Sequence, residues 1–256
     1  IIWDAILRWR GRVYSYIKGE VDRGSKLHFS LVDPEKVLDV EKLRKILSMV
    51  IDAGTDAILI GGSLQVFSDD VTNIVKMVDE FNKPSILFPG SVAGLSPYAD
   101  AVLFISLLNS DDPYFIVGAQ VYAAPLIKRF GLEVLPTGYI IVGDWPSAVS
   151  IMGRARTIPL TKPEIGVAYA LAAKYMGMRF IYLEAGSGAL QPIPPHFIKM
   201  VKSSIDDAIL IVGGGIKDSE KAYEAIKAGA DIIVTGTVIE ENVDKALNII
   251  KTVKRF

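Results

Sequence analysis

Three segments of this chain combine glycine with groups able to hold an anion: Tyr182-Leu183-Glu184-Ala185-Gly186-Ser187-Gly188, Gly213-Gly214-Gly215-Ile216 and Thr235-Gly236-Thr237. Glycine lets backbone amides approach a ligand closely, and successive N–H groups ahead of a helix concentrate positive potential on it. Any one of these loops could equally be a tight turn. All three follow short apolar runs, however, and the second and third would occupy the usual phosphate position of a parallel (βα)8 barrel. Tyr182 to Gly188, Gly213, Gly214, Gly215, Gly236 and Thr237 are therefore the candidate binding residues, for a phosphorylated small molecule.

Two earlier runs end differently, in Leu31-Val32-Asp33-Pro34-Glu35-Lys36 and Ile60-Gly61-Gly62-Ser63. On neighbouring strands, Asp33 and Ser63 would offer a carboxylate and a hydroxyl across from the cradle. Hard oxygen ligands in small number suit Mg2+, which keeps waters and takes its remaining ligands from substrate phosphates. An Asp-Pro after a strand is also a common turn. Glu184, among phosphate-binding amides, is a candidate acid–base group, unless it is held in a structural ion pair. Of the two histidines, His28 reads as a satisfied barrel residue and His196, among prolines, as exposed and inert.

These residues need a scaffold that brings distant loops to one rim. Short β-branched runs alternate with segments of helical period, which is the signature of parallel βαβ units. The pattern predicts strands at 26–32, 57–60, 85–88, 101–105, 134–142, 180–184, 208–212 and 231–235, mostly apolar as strands buried on both faces are. Helices are predicted at 37–53, 71–81, 113–130, 163–176, 194–202, 219–228 and 241–254. Between 88 and 101 two prolines and two glycines leave too little chain for a crossover helix, so the third βα unit should be irregular. Ahead of the first strand, Trp3, Ile6, Leu7, Val13, Tyr14 and Ile17 share a helical face suited to capping the barrel's N-terminal end. The expected architecture is one TIM-barrel domain over 1–256, with an N-terminal helix in 1–25 and the barrel in 26–256.

Composition narrows the function. Twenty-eight basic against 29 acidic residues leave no electrostatic footprint for nucleic acid. Mean hydropathy is high at +0.35, yet no apolar run reaches the roughly 18 residues of a membrane span. With no cysteine, thiolate metal sites and cysteine nucleophiles are excluded. The first residues lack a signal-peptide pattern, so a cytoplasmic enzyme is expected.

At this point the sequence resembles a known family. His28-Phe29-Ser30-Leu31-Val32-Asp33-Pro34, Gly61-Gly62-Ser63, Pro89-Gly90-Ser91, Pro136-Thr137-Gly138-Tyr139-Ile140, the Tyr182–Gly188 segment and Gly213-Gly214-Gly215-Ile216 are similar, in order, to the motifs of the geranylgeranylglyceryl phosphate synthase family. The resemblance runs from about residue 26 to the C-terminus. It implies an archaeal lipid enzyme that joins sn-glycerol 1-phosphate to geranylgeranyl diphosphate by an ether bond, with Mg2+, and releases diphosphate. By the same resemblance Asp33 and Ser63 match the metal positions, while Tyr182 to Gly188, Gly213, Gly214, Gly236 and Thr237 match those for glycerol phosphate. Bacterial relatives carry a lysine two residues before the metal aspartate, where this chain has Leu31.

The resemblance further implies an apolar trough for the prenyl tail, expected along residues 89–98 with Phe104, Tyr122 and Tyr139 nearby. Between Tyr114 and Ile127 the helix at 113–130 has Gln120 as its only strongly polar side chain and is apolar all round, so a homo-oligomer is expected, with this helix near its interface. A transient contact with a membrane surface would serve the lipid substrate. Rival expectations are a flavin-dependent barrel, a sugar-phosphate isomerase or lyase, which share the glycine-rich loops, and an inert phosphate-binding scaffold.

Overall fold

Alternation along each strand sorts its side chains into two cores. Leu27 and Phe29 of β1 (Leu27–Val32), Ala57 and Leu59 of β2 (Ala57–Ile60), and Phe180 and Tyr182 of β6 (Phe180–Glu184) belong to one cluster. The residues between them, such as Ile58, Ile60, Ile181 and Leu183, join a second cluster with the helices. Strands buried on both faces need a covered, closed sheet. In the computed structural model, which describes residues 9–37, 39–62 and 66–256, the sheet does close. β1, β2, β3 (Ser85–Leu87), β4 (Ala101–Leu107), β5 (Glu133–Ile141), β6, β7 (Ile209–Gly213) and β8 (Ile232–Thr235) pair in sequence order, all parallel, with β8 returning to β1. This is the predicted TIM barrel.

The capping helix is present as α1 (Val13–Asp22), whose Val13 and Ile17 are buried in the barrel-interior cluster. Glu133, at the start of β5, accepts hydrogen bonds from the N–H groups of Val13 (2.8 Å) and Tyr14 (2.9 Å), satisfying first-turn amides that have no intrahelical partner. Arg10 donates to the carbonyls of Ala99 (2.7 Å) and Phe130 (2.8 Å), tying this segment to the third and fourth units. Trp3, Ile6 and Leu7, which belong to the same predicted face, lie outside the described residues.

The remaining helices are α2 (Val40–Asp52), α3 (Ser68–Glu80), α4 (Ala119–Phe130), α5 (Ala148–Met152), α6 (Pro163–Tyr175), α7 (Pro195–Lys202), α8 (Ser219–Lys227), α9 (Thr237–Glu241) and α10 (Val243–Val253), with the short α5 and α9 at the barrel mouth. Asp39, Asp218 and Asn242 cap α2, α8 and α10 by accepting the N–H three residues on. Asp39 explains why α2 starts later than residue 37: Pro34–Lys36 is a separate 3-10 turn.

The third unit is irregular as expected. Only a 3-10 turn, Val92–Gly94, lies between β3 and β4, and these two strands pair over just two positions, Ile86↔Ala101 and Leu87↔Val102. The predicted helix at 113–130 is instead a π-helical turn, Tyr114–Gly118, running into α4. Side-chain hydrogen bonds tie this turn to β4: Ser106 Oγ of the strand donates to Ile116 O (2.6 Å), and Gln120 of α4 donates to Ile105 O of the strand and to Phe115 O of the turn. Gln120, the one strongly polar residue between Tyr114 and Ile127, therefore points inward. Its outer face is left apolar, with Val117 56%, Val121 64% and Tyr122 70% exposed.

Candidate active site

Strand parity builds the site. Glu184 follows Phe180 and Tyr182 on the inward face of β6, so the last residue of that strand enters the barrel mouth rather than the layer under the helices. Register then sets its neighbour: Glu184 pairs with Gly213. A side chain at Gly213 would crowd both Tyr182 Oη, 2.6 Å from an ideal Cβ, and Glu184 Oε2, at 3.0 Å. Glycine there leaves room for the carboxylate.

One cavity at the C-terminal ends of the strands is lined by Asp33, Tyr182, Glu184, Ser187, Gly188, Gly214, Gly215, Gly236 and Thr237. Most of the sequence-predicted residues thus meet. Leu183 and Ala185 differ: their side chains have the opposite parity and pack into the outer cluster, so only their backbone faces this region. Gly213 and Gly186 stand behind the cavity wall. Ser63 lies outside the described residues.

The glycine loops interlock. Gly214 has φ +81°, and a Cβ there would lie 2.4 Å from Glu184 Oε1 and 2.6 Å from the Gly186 amide nitrogen. Neither the backbone angle nor the space tolerates a side chain. Glu184 Oε1 accepts the Gly186 N–H at 2.7 Å, and Ala185 N–H donates to Gly213 O at 3.0 Å. Ser187 and Thr237 hydroxyls are 3.1 Å apart, linking the β6 loop to the start of α9, where first-turn amides lack intrahelical acceptors.

Electrostatics single out Glu184. Burial pushes its carboxyl from 4.5 to about 7, against the opposing pull of the Gly186 amide and the Tyr182 hydroxyl. Among the described residues it has no cationic partner, so the ion-pair alternative is not realised. Tyr182 and Tyr139 are buried, and burial followed by the nearby Glu184 charge holds both phenols protonated, well above their usual range. With Phe88 they form an aromatic floor: Phe88 stacks on Tyr182 at 5.6 Å and Tyr139 meets Tyr182 edge-on at 5.0 Å. The sequence signals this floor only through alternate positions in strands.

Asp33 sits at the end of β1, half-buried, and burial raises its pKa against the Glu35 amide and the Lys36 ammonium. Gly62 faces it: a Cβ there would lie 2.3 Å from Asp33 Oδ1. The hard oxygens of Asp33 are thus exposed to the cavity with space in front of them, which fits a cation such as Mg2+ that needs few protein ligands. His28 is no catalyst. Thr55 and Thr235 hydroxyls, each 2.9 Å from one ring nitrogen, saturate it, and burial lowers its pKa to about 3. His196 is exposed, as expected.

Beside this cavity an apolar hollow opens where the third unit lacks a helix, sharing Pro89, Gly90, Ile105, Tyr139 and Val149 with it. Val92, Leu95, Phe104, Phe115 and Ala123 continue its walls, and Gln120 is its main polar group. Phe104 and Tyr139 were expected here. Tyr122 was too, but it is on the outer face of α4.

Comparison with known proteins agrees with this geometry. The family model described as the PcrB family matches residues 20–254. The geranylgeranylglyceryl phosphate synthase of Sulfolobus acidocaldarius is 53% identical over 248 residues, 97% of this chain and 96% of that enzyme. The enzyme of the same name from Metallosphaera sedula is 48% identical over 249 residues, 97% of this chain and 98% of that one. Among solved structures, (S)-3-O-geranylgeranylglyceryl phosphate synthase from Thermoplasma acidophilum, crystallised with sn-glycerol-1-phosphate, superposes with a TM-score of 0.90 at 35% identity, over 95% of this chain and 99% of that one.

Proposed function

The chain belongs to the PcrB family, among its geranylgeranylglyceryl phosphate synthases, and from that we infer that it forms an ether bond between the C3 hydroxyl of sn-glycerol 1-phosphate and C1 of geranylgeranyl diphosphate. The observation that carries this reading is the junction of two unlike spaces. A glycine-lined anion cradle with a buried carboxylate adjoins an apolar hollow at Tyr139 and Ile105. A phosphorylated alcohol and a long hydrocarbon with a charged head need this pairing.

Glycerol phosphate binds through the amides of the Tyr182–Gly188, Gly214 and Gly236 loops, with the Ser187 and Thr237 hydroxyls. Its C3 hydroxyl then faces Glu184, which accepts the proton as the new C–O bond forms and the C1–diphosphate bond breaks. Glu184 is suited to this because its proton affinity lies near neutrality. Asp33, with Ser63, would hold Mg2+. When bound, the ion supplies the charge neutralisation that makes diphosphate a competent leaving group. The Phe88–Tyr139–Tyr182 floor excludes water from C1, and the hollow under α4 takes the tail. Incubation with both substrates and Mg2+ should yield the ether-linked phosphate by mass spectrometry. A protein with no turnover on this pair would sink the reading.

Gly214→Ala is expected to raise KM for glycerol phosphate about tenfold or more and lower kcat with it, because the new Cβ collides with both the Glu184 carboxylate and the cradle amides. KM for the prenyl diphosphate should change by less than about twofold. Equal effects on both substrates would mean that the two anions are misassigned.

The exposed face of Val117, Val121 and Tyr122 supports a homo-oligomer packed through α4, since a contiguous apolar face on an outer helix is stable when covered. Light scattering should give a mass that is a multiple of 27.9 kDa, and Val121→Glu should shift it downward. A wild-type monomer at micromolar concentration would refute this. Phe67 and Leu190, exposed in loops after β2 and β6, and Ile151, exposed on α5, suit transient contact with a membrane surface from which the lipid substrate enters. Among the described residues no helix is long and apolar enough to cross a membrane.

A further inference from the structure

We propose that Lys36 is the side-chain cation that grips the leaving diphosphate, and that Glu240 is the partner it gives up to do so. The proposal rests on the prenyltransferase reading above and adds a side chain with no part in that scheme.

Fixed charge in the cavity poses the problem. Among the described residues its ionisable side chains besides the phenols are Asp33, Glu184, Glu240 and Glu241 against Lys36 and Lys217. Even with Glu184 protonated, carboxylates outnumber cations, yet both substrates are anions. A metal at Asp33 offsets only part of this. Leu31, the last inward residue of β1, brings no charge to the same wall. Lys217 follows the triple glycine after β7, on the side of the glycerol phosphate. Of the described cations Lys36 stands beside Asp33: its Nζ is 4.0 Å from Asp33 Oδ2 and 2.8 Å from Glu240 Oε2. A diphosphate oxygen held next to Asp33 is therefore within reach of this ammonium without a backbone movement.

The Lys36–Glu240 pair joins the 3-10 turn after β1 to α9 after the neighbouring strand β8, at the rim of the mouth, and both side chains are exposed there. Exposed ion pairs are weak, because water and salt screen them. Lysine has a flexible stem and three rotatable donors, so it binds phosphate as a movable point charge. A single carboxylate yields such a partner to a multiply charged diphosphate. Before substrate arrives, Glu240 keeps the ammonium at the mouth and away from full contact with Asp33. Once released, it is solvated.

Calorimetric titration of the full chain with inorganic diphosphate in Mg2+ tests this directly, beside steady-state kinetics. Lys36→Met is expected to weaken diphosphate binding by about tenfold or more and to raise KM for geranylgeranyl diphosphate, with glycerol 1-phosphate affinity changed less than about twofold. Lys36→Arg should keep most of the affinity. Glu240→Gln, which frees Lys36 and removes a negative charge, should tighten diphosphate binding by a few-fold. A Lys36→Met protein that binds diphosphate like the wild type, or that loses glycerol phosphate affinity equally, overturns the assignment. Unchanged or weaker binding by Glu240→Gln overturns the partner exchange. Failure of the wild type to form the ether product would instead strike the reading on which the proposal stands.

Discussion

Asp33→Ala is expected to lower kcat/KM by two orders of magnitude or more, about 2.7 kcal/mol of transition-state stabilisation, while the protein stays folded. The carboxylate is half-buried at the barrel rim, and burial keeps its proton affinity high in the absence of a cation. Among the described residues its one clear hydrogen bond is accepted from the Glu35 amide, at 3.2 Å, which starts the 3-10 turn Pro34–Lys36. Loss of such a cap costs about 0.5–2 kcal/mol, a small part of the stability of a closed barrel, so circular dichroism and the melting transition should be nearly unchanged. Lys36 remains but has no oxygen to offer, and Glu35 does not line the cavity. The sensitive measurement is the dependence of rate on Mg2+: the wild type should saturate, and Asp33→Ala should not within solubility. A variant that keeps more than a tenth of the wild-type rate, a loss under about 1.4 kcal/mol, would remove Asp33 from leaving-group activation.

The parts of this site that the sequence makes legible are those written in period and punctuation. Residues 57–60 and 180–184 are apolar runs bounded by glycine or charge, and they are strands over those same residues. β4 runs two residues beyond the expected 105 because Ser106 and Leu107 pair with Gly138 and Tyr139, a tertiary fact. β7 likewise ends at Gly213 because Glu184 pairs with it. The helices α5 and α9 are only five residues each, too short to show a period. Lys36 stands in the Asp-Pro-Glu-Lys string, where it reads as the first turn of a helix. Its value lies in Glu240, 204 positions away, and no local pattern connects them. The aromatic floor is hidden for the same reason, since Phe88, Tyr139 and Tyr182 come from three different strand ends. The π-helical turn before α4 depends on Ser106 and Gln120 reaching across to carbonyls, which hydrophobic periodicity does not encode.

Glu184→Gln should separate stability from activity, in opposite directions. The folded protein holds the Glu184 carboxyl at about 7, against 4.5 for the ordinary group. Between these values the folded state keeps a proton that the unfolded chain has released, so the contribution of this group to stability falls as pH rises from 4.5 to 7 and is constantly unfavourable above that. The full shift corresponds to a penalty on the order of 3 kcal/mol. Glutamine keeps an oxygen for the Gly186 N–H without carrying the buried charge. At pH 8 the variant is therefore expected to melt higher than the wild type, and at pH 5 the two should converge. Activity moves the other way. If Glu184 accepts the C3 proton, kcat/KM of the wild type should climb with pH along a limb of apparent pKa about 7, since this ratio reports the free enzyme. The variant should lose about two to four orders of magnitude, as expected for removal of a positioned base, and its residual rate should show no such limb. A Glu184→Gln protein with the ascending limb intact would mean that another group takes the proton, and one that melts no higher at pH 8 would mean that the carboxyl ionises there without the cost its burial implies.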